Sequence, residues 1–441
     1  MNSQLFGGVV VLAGLPLLFF GDTGIAYLKG WRTESRLDYS MIVIVSVVLA
    51  STMAFASSHS GRWLLKRRSP QIMICAIATI CTWLVGECLL RGSGVLDASA
   101  AVHRHAPDTI SIFRPVQEIM PGVQGESQFT VNSFGVRGPE LYARGEAYRI
   151  LCVGGSTTEC LYLDDSEAWP HLLMENLNQR RDGAKVWVGN AGVSGHSTVR
   201  HLRFILEDTI WKEMDCVLFL VGANDFNGFL RYGITMKSPS DQSREQDLVL
   251  QSLQPMWKKS SVLEMIRHVY REWNRPRVLE EDATGLNYVA RRKLRQNGHV
   301  RDDMPDLTDA LSQYEARITR IIRECERAGV GPVFLTQPAL LCENTPDQVR
   351  ALFWSGDDGD GGYYKVEDLG RGLQKYNERL REVCTRHQVE FIELTSMNDH
   401  PEFFYDEYHF NEAGAREVAR LVADGLTITA NSKTHGQDTA R

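Results

Sequence analysis

From about residue 147 the chain alternates short apolar runs with longer amphipathic stretches. Five runs have the length and the aliphatic content typical of buried strands: 148–153, 185–188, 215–221, 331–337 and 389–394. Helix-length stretches lie between them, at 168–181, 199–210, 307–328 and 369–387. Strands that alternate with helices of this length favour βαβ units, in which helices cover both faces of a mostly parallel sheet. We therefore expect an α/β domain over residues 147–428.

The first 95 residues have a different character. They contain three apolar segments with at most one charged residue each, at about 5–22, 41–58 and 71–90. Each is close to the roughly 20 residues that cross a hydrocarbon core of about 30 Å. None shows the repeating polar face of a soluble helix, so we predict three transmembrane helices in contact with a lipid bilayer. A signal peptide is the alternative for the first segment, which lacks a basic start and a small-residue exit.

The basic residues around these segments indicate an orientation. The loop between the second and third segments concentrates four cations, namely Arg62, Lys66, Arg67 and Arg68. Such density favours the cytoplasmic side, although the opposing loop also carries Lys29, Arg32 and Arg36. We expect an integral membrane protein whose catalytic domain lies outside the cytoplasm, on the periplasmic or cell-surface side.

Three further regions differ from the strand–helix pattern. Residues 96–146 form a connector, in which 128–137 is expected to give a short strand and a turn. Residues 231–306 are rich in charged and aromatic side chains and predict a helical insertion, which either caps the site or docks near the membrane. Residues 429–441 form a polar tail.

Composition excludes several classes of function. A net charge of −7 gives no electrostatic reason to expect nucleic-acid binding. The nine cysteines include no CxxC pair and no zinc-site spacing, and nothing resembles a phosphate-binding loop or a dinucleotide motif. We therefore expect neither a metal nor a cofactor.

The candidate site residues follow the predicted strands. Ligands of open parallel sheets gather at the carboxyl ends of the strands. The polar residues at these exits are Gly155-Ser156, the segment 190–195, Asn224-Asp225 and, after the last strand, Asp406 and His409. Serine, asparagine, aspartate and histidine side chains suit acyl transfer. That reaction needs a nucleophile, a base, a group that orients the base, and hydrogen-bond donors for an oxyanion.

A role follows for each of them. Ser156 is the candidate nucleophile, His409 the base and Asp406 the carboxylate that orients its ring. The backbone N–H groups of Ser156 and Gly195 and the side-chain amide of Asn224 are the candidate oxyanion-hole donors. Activity should then fall below the pKa of His409, about 6–7 for an imidazole near its ordinary value.

Each residue also has an ordinary structural explanation. Gly-Gly-Ser and Asn-Asp are common in turns, and Asp-x-x-His before Asn411 can be a helix cap. Other histidines compete for the base: His196 in a loop, His201 on a predicted helix, and His103 and His105 in the connector. The order of the four groups, all at strand exits, favours catalysis over separate turns.

Together these segments resemble the SGNH (GDSL-type) hydrolases, in particular their membrane-anchored members. The four blocks are GGSTTE (154–159), NAGVSG (190–195), GAND (222–225) and DEYH (406–409). The resemblance covers about residues 147–425 and implies a flavodoxin-like three-layer α/β/α fold. It also implies a triad of Ser156, His409 and Asp406, with Gly195 and Asn224 in the oxyanion hole. Gly155 departs from the family motif, which has Asp before the serine.

The function expected from this pattern is hydrolysis of carboxylic esters, including O-acyl esters of carbohydrates, by a membrane-anchored serine esterase. Its partners would be an ester-bearing small molecule or glycan and the bilayer. Two alternatives remain open. The same triad supports transfer of an acyl group to a glycan hydroxyl, and the fold can also act as a catalytically silent scaffold or binding module.

Overall fold

The computed structural model of the protein describes residues 103–180, 185–233 and 283–427. The predicted membrane segments at 5–22, 41–58 and 71–90, residues 234–282 of the predicted insertion, and the tail at 429–441 lie outside these ranges. Across the three described ranges, no helix combines the length and the apolar character that a membrane span requires.

The described residues form alternating strands and helices. The strands are β1 (Thr109–Phe113), β2 (Ser127–Val131), β3 (Tyr148–Gly154), β4 (Val186–Asn190), β5 (Cys216–Leu220), β6 (His299–Arg301), β7 (Gly331–Leu335), β8 (Gly362–Tyr364) and β9 (Phe391–Ile392). The α-helices are α1 (Ser156–Glu159), α2 (Trp169–Arg180), α3 (Thr198–Glu207), α4 (Ala223–Tyr232), α5 (Leu286–Asn297), α6 (Thr308–Ala328), α7 (Asp347–Arg350), α8 (Val366–His387) and α9 (Glu412–Gly425).

The main sheet has five parallel strands in the order β4-β3-β5-β7-β9. Strand β3 therefore lies between β4 and β5, the two sheet strands that follow it in the chain. This is the flavodoxin-like order. Helices α2 and α9 pack on each other, whereas α6 packs with α3 and α8. The predicted α/β fold with a parallel sheet is confirmed.

The central strands are buried because helices cover both faces of the sheet. All five residues of β4 and of β5 are buried, as are the last six of β3. On neighbouring strands Phe219 and Phe334 stack with ring centroids 5.1 Å apart. This explains why the sequence shows continuous apolar runs and not alternation.

The fifth predicted strand, 389–394, is shorter in the structure. Only Phe391 and Ile392 pair, and they pair with β7 alone. The flanking side chains make other contacts: Glu393 accepts a hydrogen bond from the Thr336 hydroxyl at 2.6 Å, and it forms an ion pair with Arg381. An edge strand with one neighbour ends where such polar contacts begin.

The described part of the connector contains two short strands. β1 and β2 pair antiparallel, with Ser111 opposite Phe129. The turn after β2 is held by Asn132, whose side-chain oxygen accepts from the N–H groups of Phe134 and Val136. Arg137 then bridges to Asn190 at the end of β4, so the connector lies against the main sheet near the block that contains Gly195.

The structure describes both ends of the predicted insertion. Helix α4 runs to Tyr232, and the chain beyond residue 283 forms α5 and then β6, which pairs with β8. Helix α5 lies within the segment 231–306 for which the sequence predicts helices, and β6 is a strand that the sequence does not predict. Its three residues are exposed, so the burial pattern on which strands were predicted is absent there.

Candidate active site

Ser156 is the first residue of the short helix that follows β3. Gly155 precedes it as the N-cap, and Ser156 is partly exposed although the end of β3 is buried. A side chain at Gly154 would overlap Thr158, and one at Gly155 would overlap the Asn224 amide. The two glycines thus allow the strand exit to turn tightly, and they let Asn224 approach the backbone next to Ser156.

His409 connects Ser156 to Asp406. Its Nε2 lies 2.7 Å from Ser156 Oγ, and its Nδ1 lies 2.7 Å from Asp406 Oδ2. Asp406 also accepts hydrogen bonds from the backbone N–H groups of Tyr408 and His409, at 2.8 and 2.7 Å. The structure therefore brings together the serine, imidazole and carboxylate that the sequence selected, across 253 residues of chain.

Trp354 is a further hydrogen-bond donor to Asp406, and the sequence does not predict it. Its indole Nε1 donates a hydrogen bond to Asp406 Oδ2 at 3.0 Å. Its ring lies nearly parallel to the His409 ring, at 17° and with centroids 6.3 Å apart. Because Trp354 lies in the loop between α7 and β8, no local sequence pattern links it to the Asp-x-x-His motif.

Two tyrosines complete an aromatic wall around the imidazole. Tyr405 stacks on His409 with centroids 5.4 Å apart, and Tyr288 of α5 meets it edge-on at 6.1 Å. We call Tyr288, Trp354 and Tyr405 the aromatic wall. Together with the hydrogen bond from Nδ1 to Asp406, it limits the ring to one orientation.

The His409 imidazole and the Asp406 carboxylate shift each other's pKa. Burial alone lowers the pKa of His409, but the Asp406 carboxylate and its hydrogen bond outweigh burial and raise it above the ordinary value. Burial acts to raise the pKa of Asp406, and the neighbouring His409 and its hydrogen bonds hold it below its usual range. The proton in the hydrogen bond between His409 Nδ1 and Asp406 therefore belongs to the imidazole, and Asp406 stays ionised.

Glu407 lies beside Asp406 and contacts the backbone of the same Trp354 loop. Its carboxyl accepts hydrogen bonds from the backbone N–H groups of Trp354 and Ser355. Burial and the neighbouring Asp406 charge raise the pKa of Glu407. Glu407 thus holds the Trp354 loop against the segment that carries the base.

Asn224 reaches the other side of Ser156. Its side-chain Nδ2 donates to the His196 carbonyl at 2.8 Å, and it lies against Gly155. An amide nitrogen carries two hydrogens, so one remains for a ligand at Ser156. The N–H of Ser156 belongs to the first turn of a helix, where backbone donors have no intrahelical acceptor.

A buried ion pair fixes Asn224 relative to the loop before α3, which carries His196. The next residue, Asp225, accepts from the Thr198 N–H at 3.0 Å and pairs with Arg317 at 3.1 Å. Arg317 also donates to the Thr198 hydroxyl at 2.7 Å. The start of α4 is therefore tied to the start of α3, and thus to the residues just before α3.

Gly195 lies in an exposed loop before α3. Its φ is +78°, in the region that favours glycine, and the space beside its Cα is open. The next residue, His196, makes the contact with Asn224. The structure thus places Gly195 one residue from the Asn224 contact, although Gly195 has no direct link to the Ser156–His409–Asp406 chain.

The competing histidines do not occupy the place of a base. Burial and the nearby His201 and Arg200 lower the pKa of His196 to about 3. Burial also lowers the pKa of His201, to about 4. Among the hydrogen bonds of the described residues, the Ser156 hydroxyl is paired with His409.

His105 has a structural contact that the sequence did not reveal. Its Nε2 is 2.9 Å from the Gly192 carbonyl and 3.4 Å from the Glu159 carboxyl. Glu159 is buried and also bonds to the Ser194 hydroxyl. The connector is thereby attached to the loop that contains Gly195.

A small cavity adjoins Ser156 and His409. It is narrow, and little free space separates its walls. Its walls are mostly apolar or aromatic and are formed by Ser156, Thr157, Cys160, Tyr162, Leu163, Tyr405, His409 and Phe410. Cys160, Tyr162, Leu163 and Phe410 are all buried, so this cavity has fixed walls.

Comparison with known protein families gives one match. Residues 152–417 match the GDSL-like Lipase/Acylhydrolase family, and this stretch is more than half of the 441 residues. No curated protein matches the chain.

Similar solved structures include two enzymes. LAE5, an α/β hydrolase from the metagenome of Lake Arreo in Spain, is 15% identical, with a TM-score of 0.36 over 64% of this chain and 96% of its own. Axe2, an acetylxylan esterase from Geobacillus stearothermophilus, is 14% identical, with a TM-score of 0.35 over 66% of this chain and 99% of its own. On the family match, the chain belongs to the GDSL-like lipases and acylhydrolases, and it is an enzyme that hydrolyses esters.

Proposed function

We propose that the protein is a membrane-anchored serine esterase that hydrolyses carboxylic esters through Ser156, His409 and Asp406. The observation that carries this proposal is the continuous chain from Ser156 Oγ to His409 Nε2 and from His409 Nδ1 to Asp406, with both distances at 2.7 Å. Hydrogen bonds of this length are what proton transfer between the groups requires.

The proposed reaction begins with attack of Ser156 Oγ on the ester carbonyl carbon. His409 Nε2 takes the hydroxyl proton and later gives it to the departing alcohol. Asp406 stabilises the imidazolium and holds Nδ1 as the donor. Water then attacks the acyl-serine with His409 again as base, which releases the acid and restores Ser156.

The proposed oxyanion hole consists of the N–H groups of Ser156 and Gly195 and the side-chain amide of Asn224. Each donor can face the oxygen that becomes negative as the carbonyl carbon turns tetrahedral. Two features support this assignment: the position of Asn224 against Gly155, and the open space at Gly195. Removal of one such donor typically costs about 10²–10³ in kcat.

The cavity beside Ser156 suits a short acyl group. The cavity is narrow, and its walls include buried side chains such as Tyr162 and Leu163. Close-packed walls of this kind do not yield easily to a longer chain. We place the alcohol portion towards the partly exposed Trp354, from which a large alcohol such as a carbohydrate would extend into solvent.

Labelling with a fluorophosphonate tests the nucleophile. We expect the wild-type protein to be labelled and Ser156→Ala not to be labelled, because the probe reacts with an activated serine. Ser166→Ala is a matched control, since Ser166 is exposed and, among the described residues, its hydrogen bonds go to Asp164 in the neighbouring turn. A folded protein that takes up no label would contradict the proposal and favour a silent scaffold.

A second assay separates hydrolysis from transfer to a glycan. An activated acetyl ester is incubated with and without a sugar acceptor, and free acetate and acetylated sugar are measured. Hydrolysis predicts acetate in both reactions. If acetylated sugar dominated whenever acceptor was present, the acyl-enzyme would be reacting with a sugar hydroxyl, and the esterase proposal would be wrong.

The membrane anchor and the extracytoplasmic placement belong to the same proposal. They are supported by the three apolar segments and by the basic loop at Arg62–Arg68. Full-length protein should stay with membranes after alkaline carbonate extraction, and protease added outside intact cells or spheroplasts should digest the catalytic domain. Protection of that domain until the membrane is broken would reverse the proposed orientation.

A further inference from the structure

Three arginines of helix α5 have different roles. Arg292 is buried and donates to the carbonyls of Ile119 and Leu352, at 2.8 and 2.9 Å. Arg295 donates to the Tyr364 carbonyl at 3.0 Å. Arg291 is exposed, and within the described part of the chain it has neither an ion pair nor a hydrogen bond to its guanidinium. The first two arginines support the fold, whereas the donors of Arg291 are available to a ligand.

Two rings of the aromatic wall hold Arg291 in place. Its Cζ lies 4.8 Å from the centroid of Trp354 and 5.5 Å from that of Tyr288. Guanidinium groups stack favourably on aromatic faces at such distances. These ring contacts are not conventional hydrogen bonds, so they leave N–H donors of the guanidinium free for a ligand. The side chain is therefore positioned before any ligand arrives.

This position is next to the proposed catalytic residues. Trp354 donates to Asp406, and both Trp354 and Tyr288 contact the His409 ring. The positive charge is close enough to act against the rise in the pKa of His409. A group bound by Arg291 would thus lie beside the base, on the solvent side of the aromatic wall.

We propose that Arg291 binds a carboxylate on the alcohol portion of the ester substrate. The proposal rests on the esterase function above and narrows its substrates to esters of acidic alcohols, such as acidic sugars. Arg291 does not line the acyl cavity, so its ligand belongs to the other portion of the ester. Its planar fork matches a carboxylate through two parallel hydrogen bonds.

The surrounding charges favour a single negative charge on the ligand. The buried carboxyl groups of Asp406 and Glu407 lie behind the aromatic wall, and Arg291 is one exposed cation in front of it. A monoanion complements that one cation. A dianion such as a phosphate monoester would meet greater repulsion from the carboxylate behind the wall.

Two esters that differ only in the carboxylate test the proposal. The pair is 4-acetoxybenzoate and its neutral methyl ester, and kcat/KM is compared across variants so that the difference in leaving groups cancels. In Arg291→Ala we expect kcat/KM for the anionic ester to fall roughly tenfold to a hundredfold, the usual effect of a lost charged hydrogen bond. The neutral ester should change by less than about threefold, within the range of an exposed substitution.

Two further variants make the result specific. Lys293→Ala removes the same charge from an exposed position on the same helix and should leave both esters unchanged. Arg291→Lys keeps the charge but loses the fork, so it should restore only part of the preference. Equal losses for both esters in Arg291→Ala, or no loss for either, would overturn the proposal.

Binding without turnover separates this inference from the esterase function. In a Ser156→Ala background, calorimetry should show tighter binding of 4-acetoxybenzoate than of the methyl ester, and the difference should vanish when Arg291→Ala is added. If that difference persists in the double variant, the carboxylate binds elsewhere and Arg291 is not its site. Wild-type protein that binds the anion through Arg291 yet cleaves neither ester would contradict the esterase proposal alone.

Discussion

The loops on the two sides of Ser156 are built in opposite ways. The base loop, residues 402–411, buries the side chains of Tyr405, Asp406, Glu407, Tyr408 and His409. It is closed by backbone hydrogen bonds from Tyr405 to His409 and from Asn411 to Phe403, at 3.0 and 3.1 Å. The oxyanion loop, residues 190–197, exposes Ser194 and Gly195 and turns through a positive φ.

This difference follows from what each loop contributes. A base must present one ring nitrogen at a fixed angle, and burial against aromatic side chains and a carboxylate provides that. An oxyanion donor must be reached by the substrate, so the loop that carries it stays at the surface. The oxyanion loop is instead held in place by buried contacts among Asp225, Thr198 and Arg317.

Removing a reacting group from the buried side should have the largest effect. Ser156→Ala or His409→Ala should lower kcat by about 10⁴–10⁶, since either change ends proton-coupled attack. Steady-state assays with an aryl acetate measure the loss, and thermal unfolding checks that the variants remain folded. A folded His409→Ala variant that kept near-full activity would show that the buried loop is structural only.

A smaller loss is expected when a donor is removed from the open side. Asn224→Ala should reduce kcat by roughly 10²–10³ with little change in KM, because the donor acts mainly in the transition state. Asn227→Ala is a control on the same helix, since its amide donates to Ala223 and to the Tyr408 hydroxyl, at 3.0 and 3.1 Å. If the two variants lost the same activity, the effect of Asn224 would be on folding and not on the oxyanion.

The acyl cavity tests how rigid the buried side is. Leu163→Ala enlarges a wall of the cavity, and the ratio of butyrate to acetate hydrolysis should rise by about tenfold, the size of one or two methylenes gained. Leu173→Ala, buried in α2 away from the cavity, should cost similar stability, about 2–5 kcal/mol, and leave the ratio unchanged. An unchanged ratio in Leu163→Ala would place the acyl group elsewhere.

The sequence predicted the parts that depend on local pattern. The strands and helices are predictable because burial on both faces leaves continuous apolar runs, and Ser156, Asn224 and His409 stand out because each comes after such a run. The residues that surround the base were not predicted. Tyr288 and Trp354 come from separate elements, and their meeting at His409 depends on tertiary packing that no spacing encodes.

The predicted pH dependence also depends on tertiary packing. From sequence alone, His409 was expected to titrate at about 6–7, the ordinary range for imidazole. The buried Asp406 carboxylate raises its pKa above that ordinary value, information that only the folded structure provides. The base must be neutral to accept the serine proton, so activity is lost as pH falls through the raised pKa.

We therefore expect the acidic limb of kcat/KM to have its midpoint above about 6.5. Asp406→Asn removes the charge that raises the pKa, and burial then dominates, so the titration of His409 should move to lower pH. Its activity will be small, so the shift is best followed by NMR of the His409 ring protons. Glu402→Gln is a control, because this exposed carboxylate of the same loop pairs with His400 instead. A wild-type limb below about 6, or a ring titration that Asp406→Asn leaves in place, would mean that Asp406 does not set the pKa of the base.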